Sequence, residues 1–300
     1  MGRPWHCTPG GPVQGRVVSS TSAEKQDMTE ERPFGRVVRD TYAGAVLYKE
    51  MYTIPPRLRV PDKTVEIKPR FQSVEERKEH ASRMARKRHT QLVNANFRPG
   101  DLYLTLTFDQ KNECHCYADA KGLTLKYIRR IRRIYKSTVI FWYIGKGENT
   151  KRYHVHLLMN GVPEHFAVQK WTYGKIEDVN HLWAHCIYDG IDNGPNFEAL
   201  ANYLFDHWEP EQGPHRYHHT RNAKKPETSA YRPCRRKYSD DHPPKAPKGY
   251  KLVKSISTRY GYQCFVYVKE PKEPFLDFDY GIKKPKHSRR RRTRAEDEQK

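Results

Sequence analysis

The chain has 300 residues and a formal net charge of +21, with 56 Lys and Arg against 35 Asp and Glu. Mean hydropathy is −0.98 and only 36% of residues are hydrophobic, and no apolar run approaches the roughly 18 residues a bilayer span needs. A membrane partner is therefore not expected, and the charge points to a polyanion.

The aromatic content narrows that polyanion. The 20 Tyr and 5 Trp are interleaved with Lys and Arg, a composition suited to stacking on unpaired bases while neutralising phosphates. Residues 1–20 have no apolar stretch of signal-peptide type, so cytoplasmic residence is the expectation. The cysteines are Cys7, Cys114, Cys116, Cys186, Cys234 and Cys264. They form no Cys-x-x-Cys pair, and no disulfide framework is expected. Cys114-His115-Cys116 matches no standard zinc spacing and reads as a loop.

Residues 1–70 carry scattered Gly and Pro with poor periodicity and read as a flexible arm, with one short strand around residues 45–52. The folded domain is expected over 71–270. It opens at Ser73-Val74-Glu75-Glu76, a capping box that predicts a helix to about Asn94. This helix is rich in Arg and Lys, including Arg86 and Arg88, and is the first candidate DNA surface. After Pro99-Gly100, residues 101–109 alternate as a strand, with Leu102, Leu104, Leu106 and Phe108 on one face.

A helix is predicted over 123–136, with Tyr127, Ile128, Ile131, Ile134 and Tyr135 as its apolar stripe. Arg129, Arg130 and Arg133 on its other side are the second candidate DNA surface. Residues 138–144 form a β-branched and aromatic run, hence a buried strand. The strand through Arg152-Tyr153-His154-Val155-His156 follows after a short turn, so the two are expected to pair as an antiparallel hairpin. Alternation puts His154 and His156 on one face, with Val155, Leu157 and Met159 on the other. Two imidazoles so placed can share a divalent metal.

Residues 176–188 read as an amphipathic helix through Ile176, Val179, Leu182, Trp183, Cys186 and Ile187. Within it His181 and His185 have zinc-competent spacing, but no metalloprotease motif accompanies them. Asn196 can cap a further helix from Phe197 to about Trp208, with Phe197, Leu200, Ala201 and Leu204 buried and Tyr203 beside them. Residues 209–248 look irregular and add His207, His215, His218 and His219 in and near them as rival metal ligands. Residues 252–258 and 262–268 read as a closing strand pair around Gly261. Residues 271–300 read as a disordered charged tail.

Three stretches stand in order: Leu104-Thr105-Leu106-Thr107-Phe108, then Tyr153-His154-Val155-His156-Leu157-Leu158-Met159-Asn160-Gly161, then Ala201-Asn202-Tyr203-Leu204. With the Tyr217–Pro226 segment, which contains Lys224 and Lys225, they resemble the HUH endonuclease superfamily. They look most like its phage- and plasmid-type rolling-circle replication initiators. The resemblance covers roughly residues 85–270.

The resemblance implies an α+β fold with an antiparallel central sheet of ferredoxin-like or RNA-recognition-like type. The helices are expected on one face of that sheet. It implies a site-specific nickase and ligase acting on single-stranded origin DNA through a 5′-phosphotyrosine. Tyr203 would be the nucleophile, and His154 and His156 the ligands of Mg2+ or Mn2+. Members carry a third ligand. The strand before the histidines holds no acid, so Glu148 in the turn is the candidate and Asp109 the other option. Members also carry Lys three residues after the tyrosine, where this chain has Asp206. Lys224 or Lys225 could take over that charge.

No phosphate-binding loop ending Gly-Lys-Ser/Thr occurs, so unwinding and synthesis would fall to a host helicase and polymerase. Two rivals stand beside this reading. One is a transposase or relaxase of the same superfamily. The other is a catalytically inert nucleic-acid-binding protein on the same fold.

Overall fold

A computed structural model describes residues 35–54, 73–147, 150–182, 187–188, 191–192, 195–208, 215–258 and 261–270. In chain order the elements are β1 (Gly35–Ala43), β2 (Val46–Ile54), α1 (Val74–Asn96), β3 (Leu102–Thr107), α2 (Tyr117–Ile134), β4 (Ile140–Lys146) and β5 (Tyr153–Met159). They continue with α3 (Glu164–Lys170), β6 (Ile176–His181), β7 (Ile187–Tyr188), β8 (Ile191–Asp192) and α4 (Glu198–Asp206). The last are β9 (His218–His219), β10 (Glu227–Thr228), β11 (Arg232–Pro233), β12 (Tyr250–Ser257) and β13 (Gln263–Lys269). The fold is α+β, with helices packed on antiparallel sheets.

The histidine strand β5 sits at the centre of a sheet ordered β6-β3-β5-β4-β9. The run β3-α2-β4-β5-α3-β6 with this order is a ferredoxin-like βαββαβ unit, all neighbours antiparallel. One face buries Leu102, Leu104 and Leu106, Ile140 and Trp142, and Val155, Leu157 and Met159 against α2 and α3. The other buries Tyr103, Phe141, Tyr143 and Leu158 against α1 and α4. Helices thus cover both faces, where one was expected. Strand 138–144 is apolar on both sides, and in 153–159 Leu158 adds an apolar residue to the histidine face, which is the pattern of a doubly covered sheet.

Two predicted elements change. The helix expected over 176–188 is replaced at its start by β6, which pairs with the edge of β3. An uncovered β3 edge would leave a row of backbone donors and acceptors without partners. That cost outweighs a helical spacing of apolar residues. His181 therefore stands on a strand, 3.9 Å from Glu164, and His185 lies outside the described residues. The helix α2 begins at Tyr117, six residues before the predicted start, and Ile134 of its predicted stripe is 65% exposed.

Within the expected N-terminal arm the short strand around 45–52 is present as β2, and the arm is revised in that β1 pairs with it, so that residues 35–54 form a hairpin. Residues 1–34 and 55–72, and the tail from 271, lie outside the described residues. The hairpin joins the C-terminal hairpin β12–β13 in a second sheet, ordered β10-β1-β2-β13-β12. Segment 232–250 covers one face of this sheet, where Tyr267 Oη donates to the Pro244 carbonyl at 2.6 Å.

The two sheets meet along α1. Ser73 Oγ caps this helix by accepting from the Glu76 amide at 3.0 Å, as the capping box predicts. At its far end Gly44 turns the β1–β2 hairpin with φ +60, and a Cβ there would lie 2.1 Å from the Asn94 carbonyl oxygen. Glycine is required at this contact on both counts. Asn94 Nδ2 donates to Tyr48 Oη of the second sheet and to Asn196 Oδ1 before α4, each at 3.0 Å.

Glu50 is the buried charge of this junction, 1% exposed. It pairs with Lys87 and accepts from Tyr52 Oη at 2.9 Å, Tyr262 Oη at 3.0 Å and Arg39 Nη2 at 3.2 Å. Burial alone would raise its pKa, but Lys87 and the two hydroxyls hold it below the ordinary carboxylate value. Glu50→Gln removes the charge and leaves two partly exposed cations facing the gap. The expected cost is about 2 kcal/mol, at the low side of a broken buried pair because the cations can reach water. A urea midpoint equal to that of the wild type would refute this.

His89 of α1 is fully buried, with Nε2 2.7 Å from Tyr143 Oη, and burial pushes its pKa down to about 3. Between pH 6.5 and about 3 the unfolded chain takes up a proton here and the folded chain does not. Stability should therefore be full above pH 6.5 and fall with acidification, by up to about 1.4 kcal/mol per pH unit from this group. His89→Gln should flatten the pH dependence of unfolding by that amount; an unchanged slope between pH 6.5 and 5 would refute it.

Candidate metal and nucleophile site

The sheet brings His154 and His156 to one face because strand side chains alternate. α4 lies on that face and adds two residues from its last turn and C-terminus. Tyr203 and His207 are four apart, hence stacked along one side of a helix, with ring centroids 4.3 Å apart. The His156 ring lies 5.9 Å from that of Tyr203 and 4.7 Å from that of His207. His154, His156 and His207 each offer a ligand nitrogen, and these atoms lie within 4.8 Å of one another. Tyr203 is 49% exposed on a helix whose neighbours Leu200 and Leu204 are buried. It faces a cleft of about 1240 Å3 that these four residues help to line.

Hydrogen bonds orient the imidazoles. His156 Nδ1 is 2.8 Å from Tyr103 Oη and 3.2 Å from Thr105 Oγ1. The tautomer that donates Nδ1–H to Tyr103 leaves a lone pair on Nε2. That Nε2 is buried and has no partner among the described residues, an arrangement that costs about 1–3 kcal/mol unless a ligand fills it. His207 Nδ1 is 3.1 Å from the Tyr203 carbonyl oxygen, so Nδ1–H can donate there and again free Nε2. Burial lowers the pKa of His154, and that of His156 to about 2, with the neighbouring histidines adding to both shifts. Neutral imidazoles with bare nitrogens are what a metal ion requires.

Gly145 sits opposite His154 in the β4–β5 ladder. A Cβ there would touch His154 Cε1 and Nε2 and His207 Cδ2, each at 3.4 Å. The missing side chain makes the space in which the rings converge, and anything larger than alanine would displace them.

Among the described residues, the third nitrogen brought to His154 and His156 is that of His207. Glu148 lies outside the described residues. Asp109 is exposed and caps the 3-10 turn that follows it, accepting from the Asn112 amide at 2.9 Å. His207 was visible in the sequence only as one of several spare histidines; the signal that separates it is its four-residue spacing from Tyr203 on a short helix. Asp178 was missed for a different reason. It stands on β6, opposite Thr105, at the far wall of the cleft, where a helix had been expected.

Asp206 turns away from the histidines. It takes a bidentate pair from Arg86, at 2.6 and 2.8 Å, which holds its carboxyl below the ordinary value. The position where a lysine was expected is thus a tether between α4 and α1, and Arg86 is occupied as a structural partner. Arg130 is likewise engaged, donating to Thr172 Oγ1 at 2.7 Å with its guanidinium over the Tyr173 ring. Arg88, Arg129 and Arg133 are exposed.

Lys224 is not near the site. Its amide donates to Asn96 Oδ1, and Asn96 accepts through its carbonyl from Asn160, beyond the far end of β5. Asn160 lies six residue steps along the strand direction from His154, about 20 Å. Lys225 follows it, exposed. The cations that line the histidine cleft are instead Lys111, Lys146, Arg152 and Lys175.

No family model matches the chain, and no curated protein or solved structure matches it.

Proposed function

We propose that this protein nicks and rejoins single-stranded DNA through a covalent tyrosine ester, as a rolling-circle replication initiator of HUH type. The observation that carries the reading is the convergence of His154, His156 and His207 on one side of a cleft, with the Tyr203 ring edge-on to His156 and tilted against His207. The buried Nε2 of His156, without a partner among the described residues, supports reading the trio as a cation site. A bound divalent ion would act as a Lewis acid on the scissile phosphate.

The chain's own residues supply the rest. Tyr203 lies on a helix pinned by Leu200 and Leu204, which fixes the approach of its hydroxyl. Burial holds its pKa above the ordinary value, so the phenol enters the reaction protonated. The Tyr203 Oη–P bond forms as the P–O3′ bond breaks, and the phenolic proton ends on the departing 3′ oxygen. The product is a 5′-phosphotyrosine and a free 3′ hydroxyl. The ester keeps the bond energy, so reversal by a 3′ hydroxyl rejoins the strand without ATP. Lys111 and Lys175 at the rim of the cleft would offset phosphate charge.

The donor set bears on the metal. Three imidazole nitrogens suit Mn2+ and softer ions better than Mg2+, which prefers oxygen ligands. The test is incubation of a randomised pool of single-stranded oligonucleotides with the protein and Mn2+, followed by denaturing electrophoresis and peptide mapping. A DNA–peptide adduct on Tyr203 supports the reading. Nicking with no covalent adduct would overturn it.

A further inference from the structure

A second basic surface lies on the opposite face of the histidine sheet. The C-terminal half of α2 and the segment around β9 form the walls of a groove of about 640 Å3. Arg129, Arg132, Arg133, Lys136 and Arg221 line it, and no acidic residue does. β9 is held to the edge of β4, with the Ile140 amide donating to Thr220 Oγ1 at 3.1 Å. Asn222 Nδ2 continues the seam, donating to the Ser137 and Thr138 carbonyls at 2.9 and 3.0 Å. Arg221 is therefore fixed across from α2 on a pinned backbone.

The floor is apolar and carries an unmet donor. Trp142 is 7% exposed and stacks on His218 at 5.4 Å, and its indole Nε1 has no acceptor among the described residues. Arg132 Nε is in the same condition. Native proteins rarely leave a buried N–H without a partner, because each costs about 1–3 kcal/mol. Two such donors in one cation-lined groove call for an acceptor-rich anionic ligand. Trp142 pairs with Leu157, next to the Tyr143–His156 pair. The groove and the histidines thus occupy two sides of the same strands, separated by roughly the 10 Å of a packed layer.

We infer that this groove is a second phosphodiester-binding site, which holds DNA flanking the segment engaged at the histidine cleft. Trp142 Nε1 and Arg132 Nε would donate to phosphate oxygens, and Arg129, Arg133 and Arg221 would neutralise neighbouring phosphates. The inference rests on the reading that the protein handles DNA, and not on the nicking chemistry.

The experiment measures binding of fluorescent oligo-dT of increasing length by anisotropy, across a salt series, without metal. The wild type is compared with Arg129→Gln/Arg133→Gln/Arg221→Gln, which keeps side-chain bulk, and with Trp142→Phe, which keeps the ring and loses the N–H. The triple variant is expected to lose the affinity gained with longer strands, about tenfold or more. Its salt slope should fall by about 2, at roughly 0.7 per phosphate contact on single strands. Trp142→Phe should weaken the long strand severalfold with no change in slope.

Unchanged length and salt dependence in the triple variant would overturn the proposal, as would a wild type that binds no DNA. A clear preference for oligo-U of the same length would overturn the assignment to DNA. Adduct formation at Tyr203 is read separately. If the adduct fails while the groove variants behave as expected, only the nicking reading falls.

Discussion

Tyr203→Phe is expected to abolish covalent attachment to DNA, a loss of about 10^4-fold or more, while leaving the fold, metal binding and DNA affinity intact. The substitution removes only the phenolic oxygen. The ring remains to pack, tilted, against His207 at 4.3 Å and to approach His156 at 5.9 Å. Because Tyr203 is 49% exposed, no buried hydrogen bond is lost with it. Removing the attacking atom of a covalent mechanism leaves only what positioning and metal polarisation can do for water. Tyr103 is the informative control. It is buried, and its hydroxyl is tied to His156 Nδ1 at 2.8 Å, so Tyr103→Phe should weaken metal binding about tenfold yet leave adduct formation at saturating Mn2+. An adduct that survives in Tyr203→Phe and disappears in Tyr103→Phe would reverse the two assignments.

His207→Ala is expected to lower Mn2+ affinity by about 100-fold or more, as measured by calorimetry. Loss of an outer partner of a metal ligand already costs 10–100-fold, and here a ligand itself is lost. The half-buried imidazole lies at the end of α4, where its absence does not open the core. The same variant separates the present trio from a two-histidine site completed by Glu148. If Mn2+ binds His207→Ala as tightly as wild type and Glu148→Gln abolishes binding, the turn acid is the third ligand. Acidification provides a further check. With burial holding His154 and His156 below the ordinary imidazole value, proton competition at those two nitrogens should set in only below pH 6.5. Mn2+ binding should therefore persist to more acid pH than an exposed imidazole site would allow.

Much of the histidine sheet was legible because its strands carry strong local signals. The alternation of Leu102, Leu104 and Leu106, the aromatic run at 138–144 and the His-Val-His strand each define a period of two, and their short connections impose antiparallel pairing. The capping box at Ser73 and the asparagine before α4 marked helix starts. Asn196 lies one residue further out than a simple cap, its Oδ1 accepting from the Glu198 amide at 3.2 Å. Other features left no local trace. The pairing of β1–β2 with β12–β13 joins segments more than 200 residues apart. A basic stretch does not reveal which of its cations face an acid. Arg86 and Lys87 look like surface charges in a list of residues, yet they meet Asp206 and Glu50 in space.

By itself, the sequence determined that this is a basic, aromatic-rich chain with two imidazoles on one strand face and a tyrosine on a helix some fifty residues later. Period-two and capping signals are local, and locality is what a linear chain preserves. Only the tertiary structure decided the third nitrogen. Which of several histidines joins His154 and His156 depends on where α4 docks across the sheet, and that is set by Phe197, Leu200, Ala201 and Leu204 packing on Tyr103, Phe141 and Leu158. The same docking turned Asp206 from an apparent defect into a tether to Arg86. Apolar burial is non-directional and summed over distant contacts, so the residues that aim the site are largely those that carry none of its chemistry.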